Sequence, residues 1–148
     1  MNVDECHIYI ESTLSWPKKG DGIVGIIFTD YEDEHTKQLF GVVKNSTAHE
    51  AALIGIKTAL KYVGNYKIVN LHLSCAYAAE SFKYIPSWKD SGWINSRGNP
   101  VKYNELWKEI DNSLQEKELK IHYNEVNGYR RWLKNECDNR GRKHGFIL

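Results

Sequence analysis

The sequence has few of the features that crosslink a chain or anchor it in a membrane. Its 148 residues include only three cysteines, which are widely spaced and form no CxxC pair. We therefore expect neither a disulfide framework nor a cysteine zinc site, and an intracellular, reducing compartment is the default location. No apolar run approaches the roughly 18 residues of a membrane span, and the acidic, polar beginning is unlike a signal peptide, so no membrane partner is expected.

An excess of charge of one sign is also absent. The chain holds 20 Lys+Arg against 19 Asp+Glu, a net charge of +1, which excludes binding of nucleic acid through bulk charge alone. With 41% hydrophobic and 26% charged residues, the composition is that of a globular protein rather than a disordered, collagen-like or coiled-coil chain. The length, without internal repeats or low-complexity linkers, predicts a single domain over residues 1–148.

The balanced total conceals two oppositely charged halves. Residues 1–82 hold seven basic and ten acidic residues, a net charge of −3, whereas residues 83–148 hold thirteen and nine, a net charge of +4. From residue 130 onward six basic residues face two acidic ones. This end of the molecule is suited to attract polyanions; the alternative is a solvated surface with a basic tail.

Alternating apolar and β-branched residues predict five strands. The first three are joined by short turn segments, which favours antiparallel pairing, and the acidic link over residues 31–36 is expected to be an exposed hairpin loop. The predicted strands cover residues 6–11, 23–30, 37–44, 67–74 and 119–126.

Helical periodicity separates the later strands. Hydroxyls at Ser46 and Thr47 with Glu50 form a capping-box pattern that opens a first helix, which ends at residues 64–65. The other predicted helices are a stretch from residue 75 broken near Pro86, an amphipathic helix over 103–116 and a short final helix over 132–138. Together these elements predict an α/β fold, with a five-stranded mixed sheet flanked by helices on both faces.

Four polar side chains are candidates for a shared site at one end of this sheet. Glu11 closes the first strand, Ser74 closes the fourth, Glu50 lies in the first turn of the helix between them, and Asp138 lies in the last helix. If the first and fourth strands are neighbours, these residues converge. Clustered carboxylates are what a two-metal phosphoryl-transfer site needs, although Glu50 is equally explained as a helix-start carboxylate.

The segment over residues 88–111 carries the most specific pattern. It reads WKDSGWINSRGNPVKYNELWKEID, and it resembles the basic protrusion of the type 1 ribonuclease H family, W-K-x-x-G-W followed by P-V-K-x-x-(D/E)-L-W-x-x-(L/I)-D. The resemblance covers nearly the whole chain and implies a ribonuclease H-like fold with a helical protrusion at about residues 84–104. It also implies binding of RNA/DNA hybrid or other duplex nucleic acid, and cleavage of the RNA strand with two divalent ions.

The resemblance places four catalytic positions at Glu11, Glu50, Ser74 and Asp138, where the family carries Asp, Glu, Asp and Asp. Glu11 is one methylene longer than the family's residue, and a displacement of about 1 Å can cost about a hundredfold in rate. Ser74 offers a neutral hydroxyl in place of an anionic ligand. We therefore expect hydrolysis to be lost or severely reduced, with Glu11, Glu50 and Asp138 forming a single, weak site for Mg²⁺ or Mn²⁺.

Neighbouring positions depart from the family as well. Residues 139–141 (Asn-Arg-Gly) follow Asp138 where the family's last helix continues, which predicts that the helix ends early. Gly128 lies near the position of the family's mobile histidine. His72 and His49 are candidate ligands for a softer ion such as Mn²⁺, or else hydrogen-bonded structural residues.

Nucleic-acid contacts are expected from the protrusion and from the start of the first helix. Basic side chains would contact phosphates, which position a duplex without reading its sequence. Trp88 and Trp107 are expected to be packing residues of the protrusion instead. The candidate nucleic-acid-binding residues are Ser46, Thr47, Lys89, Trp93, Arg97 and Lys102.

Three functions are compatible with these patterns. The first is a ribonuclease H-like protein that binds hybrid or duplex nucleic acid without efficient hydrolysis. The second is an active, Mg²⁺- or Mn²⁺-dependent nuclease with an altered carboxylate site. The third is a module that has kept only the fold and binds a protein partner.

Overall fold

A computed structural model describes residues 4–31 and 35–147, and within them strands and helices follow the predicted order. The strands are β1 (Glu5–Ser12), β2 (Gly20–Thr29), β3 (Thr36–Ser46), β4 (Ile68–Leu73) and β5 (Glu118–Tyr123). The α-helices are α1 (Ala48–Ala59), α2 (Ala76–Ser81), α3 (Ile85–Asp90), α4 (Asn104–Ser113) and α5 (Gly128–Lys143), with 3₁₀ turns at Leu60–Tyr62 and Phe82–Tyr84. The hairpin loop predicted at residues 31–36 lies partly outside the described residues.

The five strands form one mixed sheet in the order β3-β2-β1-β4-β5. The pairs β1–β2 and β2–β3 are antiparallel, as their short links allow, and the pairs β1–β4 and β4–β5 are parallel. Parallel neighbours require a crossover connection, which α1 supplies between β3 and β4 and α2–α4 supply between β4 and β5. The predicted fold is confirmed, and the first and fourth strands are neighbours.

Helices cover both faces of the sheet, and β1 contributes to both layers. Ile10 packs on the face covered by α1 and α4, where Trp107 is fully buried. Tyr9 packs on the opposite face, against Leu133 of α5. Because successive side chains of a strand point to opposite faces, Glu11 lies on the same face as Tyr9 and α5.

The last helix is longer than the sequence predicts. The expected helix over 132–138 with an early end is wrong, because α5 continues to Lys143. Gly141 does not break the helix; it allows close packing, since an added Cβ would lie 3.0 Å from Thr13 Cγ2. Basic side chains in the last turn stabilise the negative, C-terminal end of the helix dipole. Gly145, whose φ is 78°, follows the helix.

The protrusion is organised around tryptophan rings. Pro86 lies in the first turn of α3, a position where proline starts a helix rather than breaking it. The ring of Trp88 lies 5.8 Å from that of Trp107 and 6.2 Å from that of Trp93, between centroids. Trp88 and Trp107 are therefore packing residues, as expected.

The three cysteines, Cys6, Cys75 and Cys137, are free thiols. Burial raises the pKa of Cys6 and of Cys137 to about 12. Over residues 4–31 and 35–147, no helix has both the length and the apolar character needed to cross a membrane.

Candidate active site

Glu11 and Ser74 meet where the parallel strands β1 and β4 end. Ile10 is the register partner of Leu73, so the residues that follow lie side by side. Ser74 Oγ donates a hydrogen bond of 3.2 Å to Glu11 Oε1. Glu11 is only 6% exposed. The structure thus brings together the two candidates that end neighbouring strands.

Arg130 holds the other oxygen of Glu11. Asn127 caps α5 by accepting the backbone N–H of Arg130 at 2.8 Å, which fixes the first turn of the helix. Arg130 Nε donates to Glu11 Oε2 at 3.2 Å, and Nη1 donates to the backbone carbonyl of Glu125 at 3.2 Å. Burial raises the pKa of Glu11, while the Arg130 charge and the hydrogen bonds from Ser74 and Arg130 oppose that rise. This pair joins residues 119 positions apart, so sequence spacing gives no sign of it.

Glu50 and Asp138 have partners of their own. Glu50, in the first turn of α1, accepts a hydrogen bond of 2.8 Å from Ser46 Oγ. Asp138 pairs with Lys134 one turn earlier in α5, at 3.2 Å. Lys134 Nζ also donates to the backbone carbonyl of Ser12 at 2.7 Å, which places a second cation beside the end of β1.

These residues do not fit a two-ion centre. Two divalent ions about 3.5–4 Å apart require several anionic oxygen ligands. Ser74 is neutral, Glu11 is paired with Arg130, and Asp138 with Lys134. In the described part of the chain, the one group of three side chains whose ligand atoms all lie within 4.8 Å of one another is elsewhere, and it includes none of the predicted carboxylates. The single, weak Mg²⁺ or Mn²⁺ site therefore stays a prediction.

A cleft of about 580 Å³ opens beside Glu11 and contains an aromatic stack. The ring of Trp16 lies 3.9 Å from that of His49, and His49 lies 4.3 Å from Tyr77, between centroids of nearly parallel rings. Trp16 is 53% exposed, and Lys102 Nζ lies 5.9 Å from its ring centroid. His49 is thus held in a stack. The only sequence signal for Trp16 is an aromatic residue in the turn between two strands.

The hydroxyls predicted to contact nucleic acid form hydrogen bonds within the protein instead. Ser46 and Thr47 are both buried. Thr47 caps α1 by accepting the backbone N–H of Glu50 at 3.1 Å, and its Oγ1 lies 2.9 Å from Tyr103 Oη. The Thr47 half of the capping-box pattern is therefore realised, whereas the Glu50 carboxylate accepts from Ser46 Oγ.

The candidate nucleic-acid-binding residues of the protrusion differ in how accessible their side chains are to a ligand. Arg97 and Lys102 have exposed side chains. The Lys89 ammonium is paired with Asp111 at 3.0 Å, which ties α3 to α4. Trp93 is partly buried, with the Lys108 ammonium 5.9 Å from its ring centroid.

His72 contacts other aromatic side chains of the sheet. Its Nε2 lies 2.9 Å from His7 Nδ1, and its ring stacks on that of His122 at 4.4 Å between centroids. Burial, with smaller contributions from His122 and His7, lowers the pKa of His72 to about 3. The side chain is therefore a neutral imidazole at physiological pH.

Known proteins share this fold. The RNase H family model matches residues 6–140. The ribonuclease H of Wolbachia sp. subsp. Drosophila simulans (strain wRi) is 31% identical over 121 residues, which cover 80% of this chain and 81% of that protein. The solution structure of the PFV RNase H domain matches with a TM-score of 0.67 and 22% identity, over 95% of this chain and 94% of that one.

A larger viral protein contains a similar unit. The structure of the foamy viral protease-reverse transcriptase in complex with RNA/DNA hybrid matches with a TM-score of 0.71 and 21% identity. The match covers 97% of this chain and 20% of the viral chain. The sheet order, the family match over most of the sequence and the identity to the Wolbachia protein together show that the chain belongs to the ribonuclease H family.

Proposed function

We propose that this protein binds RNA/DNA hybrid or other duplex nucleic acid, and that its metal-dependent hydrolysis of the RNA strand is lost or severely reduced. One observation supports the loss of hydrolysis: both carboxylate oxygens of Glu11 accept hydrogen bonds, one from Ser74 and one from Arg130. A guanidinium at this position repels a divalent ion and competes with it for the carboxylate. The neutral hydroxyl of Ser74 supplies no negative charge that would offset this repulsion and attract the ion.

The surface around the cleft supports the binding of a polyanion. Arg130 and Arg131 line the cleft on one side, and Lys102 lies beside the exposed ring of Trp16 on the other. Cations of this kind hold phosphates, while an exposed aromatic ring stacks on bases or sugars. The foamy viral protein with this fold was solved with an RNA/DNA hybrid, which supports the choice of hybrid as the first ligand to test.

A cleavage assay tests the catalytic half of the proposal. The full chain is incubated with labelled hybrid in Mg²⁺ and, separately, in Mn²⁺, with Glu50→Gln as the inactive reference. We expect no cleavage above that reference, and a gain of cleavage in Glu11→Asp/Ser74→Asp/Arg130→Gln, which restores two aspartates and removes the competing cation. Cleavage by the parent chain that disappears in Glu50→Gln contradicts the proposal and supports an active nuclease with an altered carboxylate site.

Fluorescence anisotropy tests the binding half. We expect micromolar affinity for the hybrid that weakens steeply with salt. The double variant Arg97→Gln/Lys102→Gln should reduce the slope of log affinity against log salt by about 2, since each phosphate contact contributes about 0.9. Lys61→Gln is the control, because Lys61 is exposed and lies in the 3₁₀ turn Leu60–Tyr62, outside the protrusion. No binding at low salt contradicts the proposal and favours a protein-interaction module.

A further inference from the structure

A second cluster of metal-ligand side chains lies on the same sheet face as α5, but on β4 and β5 beyond that helix. His72 and His122 are register partners on these two strands, and Glu125 follows β5. One ligand atom from each of the three lies within 4.8 Å of the other two. The helix α5 packs mainly on β1 and β2, and Glu125 is exposed, so an ion from solvent can reach this cluster.

Asn70 fixes the orientation of the His122 ring. The amide Nδ2 of Asn70 donates to Glu5 Oε1 at 2.7 Å and to the Cys6 carbonyl at 3.1 Å, which turns its Oδ1 toward His122. The Nε2–H of His122 donates to that oxygen at 2.7 Å. In the neutral ring the lone pair is then on Nδ1, which lies 3.3 Å from Glu125 Oε2. Two acceptors at this distance repel each other unless a cation lies between them, either a proton on Nδ1 or a metal ion.

His72 offers a further nitrogen without a partner. Its Nε2 is engaged with His7 Nδ1 at 2.9 Å. Its Nδ1 is buried and, among the described residues, has no hydrogen-bond partner. A buried polar atom without a partner is unfavourable, and a bound cation would remove that cost. When Nε2–H of His72 donates to His7, the lone pair on Nδ1 is free to bind a metal ion.

We propose that His72, His122 and Glu125 bind a divalent transition-metal ion of the Zn²⁺ type, at a site separate from the predicted carboxylate site of Glu11, Glu50 and Asp138. Two imidazole nitrogens and one carboxylate suit Zn²⁺ and similar ions, whereas Mg²⁺ prefers oxygen ligands. Three protein ligands leave a position for water. The two imidazole rings lie within 10° of parallel, and a lone pair lies in the plane of its ring, so the ring of His72, which Asn70 does not hold, must turn toward the ion on binding.

Glu125 links this site to the cleft. Its backbone carbonyl accepts the hydrogen bond from Arg130 Nη1 at 3.2 Å, and the next two residues, Val126 and Asn127, line the cleft. An ion held by the Glu125 carboxylate restrains the segment that positions Arg130 against Glu11.

Metal titration of the full chain, first stripped with a chelator, tests the proposal. Calorimetry with Zn²⁺ and visible absorption with Co²⁺, whose bands report nitrogen ligands and coordination number, should both show one ion per chain. Glu125→Gln and His122→Gln should each weaken the affinity at least about tenfold. Because Glu125 is exposed, its substitution leaves the fold intact. His35→Gln removes an exposed histidine elsewhere and should leave the affinity unchanged.

Three results would overturn the assignment. One is the absence of Zn²⁺ binding up to millimolar concentration. The second is an affinity that neither Glu125→Gln nor His122→Gln changes. The third is an affinity that is lost in Glu50→Gln and kept in Glu125→Gln, which would assign the ion to the predicted carboxylate site.

Discussion

Glu11 shows how single residues set the charge balance of the site. A second carboxylate at position 74 would repel the buried Glu11 and require a cation between the two. Ser74 removes that repulsion and donates a hydrogen bond, while Arg130 supplies one positive charge from α5. The site is therefore balanced by the chain's own side chains, and the longer Glu11 side chain reaches both partners.

Arg130→Gln tests this balance. We expect the free energy of unfolding, measured by urea denaturation, to fall by about 2 kcal/mol, because a buried carboxylate loses a charge-assisted hydrogen bond. Arg131→Gln, which neutralises the exposed neighbour, should change it by less than about 0.5 kcal/mol. The loss in Arg130→Gln/Glu11→Gln should be smaller than the sum of the single losses. Equal effects at positions 130 and 131 would contradict a stabilising Glu11–Arg130 pair.

At the scale of elements, the sequence predicts the structural features that depend on local residue patterns. It misses the features that depend on tertiary contacts. The five strands, the Thr47 cap and the burial of Trp107 follow from periodicity, capping chemistry and residue size. The end of α5 does not, because the role of Gly141 is set by its approach to Thr13. For the same reason the partners of Glu11, Glu50 and Asp138 inside the fold could not be predicted from the sequence, and the set of three as a metal site stays a prediction.

Gly25 of β2 controls how closely α5 approaches the sheet. A Cβ at this position would lie 2.5 Å from Cys137 Sγ and 2.8 Å from Leu133 Cδ1. We expect Gly25→Ala to lower the free energy of unfolding by about 2–3 kcal/mol, because the packed helix must shift. Urea denaturation again measures the change.

Gly41 of the neighbouring strand β3 provides the matched control. A Cβ there would meet no heavy atom within 4 Å, so Gly41→Ala should be neutral or slightly stabilising. If the two alanine variants lose the same stability, the loss comes from the strand backbone, and close packing of α5 on Gly25 is not its cause.

At the scale of the whole molecule, the net charge of +1 is the sum of two halves that meet at one cleft. The acidic half, with a net charge of −3, contributes Glu11; the basic half, with a net charge of +4, contributes Arg130, Arg131 and Lys134 to the cleft walls. Because Glu11 is neutralised internally, the cleft presents the basic side chains to a ligand. Attraction of this kind acts over about 8–10 Å at moderate salt, so it favours a polyanion that enters the cleft over one that passes at a distance.

Trp16 should contribute to binding through stacking rather than charge. Trp16 is 53% exposed at the top of the stack with His49 and Tyr77, so the exposed part of its ring can contact a base or sugar. We expect Trp16→Ala to weaken hybrid binding about tenfold in fluorescence anisotropy, since stacking on an aromatic ring contributes about 1–3 kcal/mol per base. The salt dependence of the affinity should not change, because no charge is removed.

Trp132→Ala is the control for this variant. Trp132 is 43% exposed, a similar fraction, but it lies on α5 and does not line the cleft. We expect its removal to leave the affinity for hybrid unchanged. If both variants bind equally well, the duplex does not reach the Trp16 stack, and the cations alone would account for binding. If Trp16→Ala instead lowers the salt slope, the ring acts by positioning the neighbouring Lys102, whose ammonium lies 5.9 Å from its centroid, and not by stacking on the ligand.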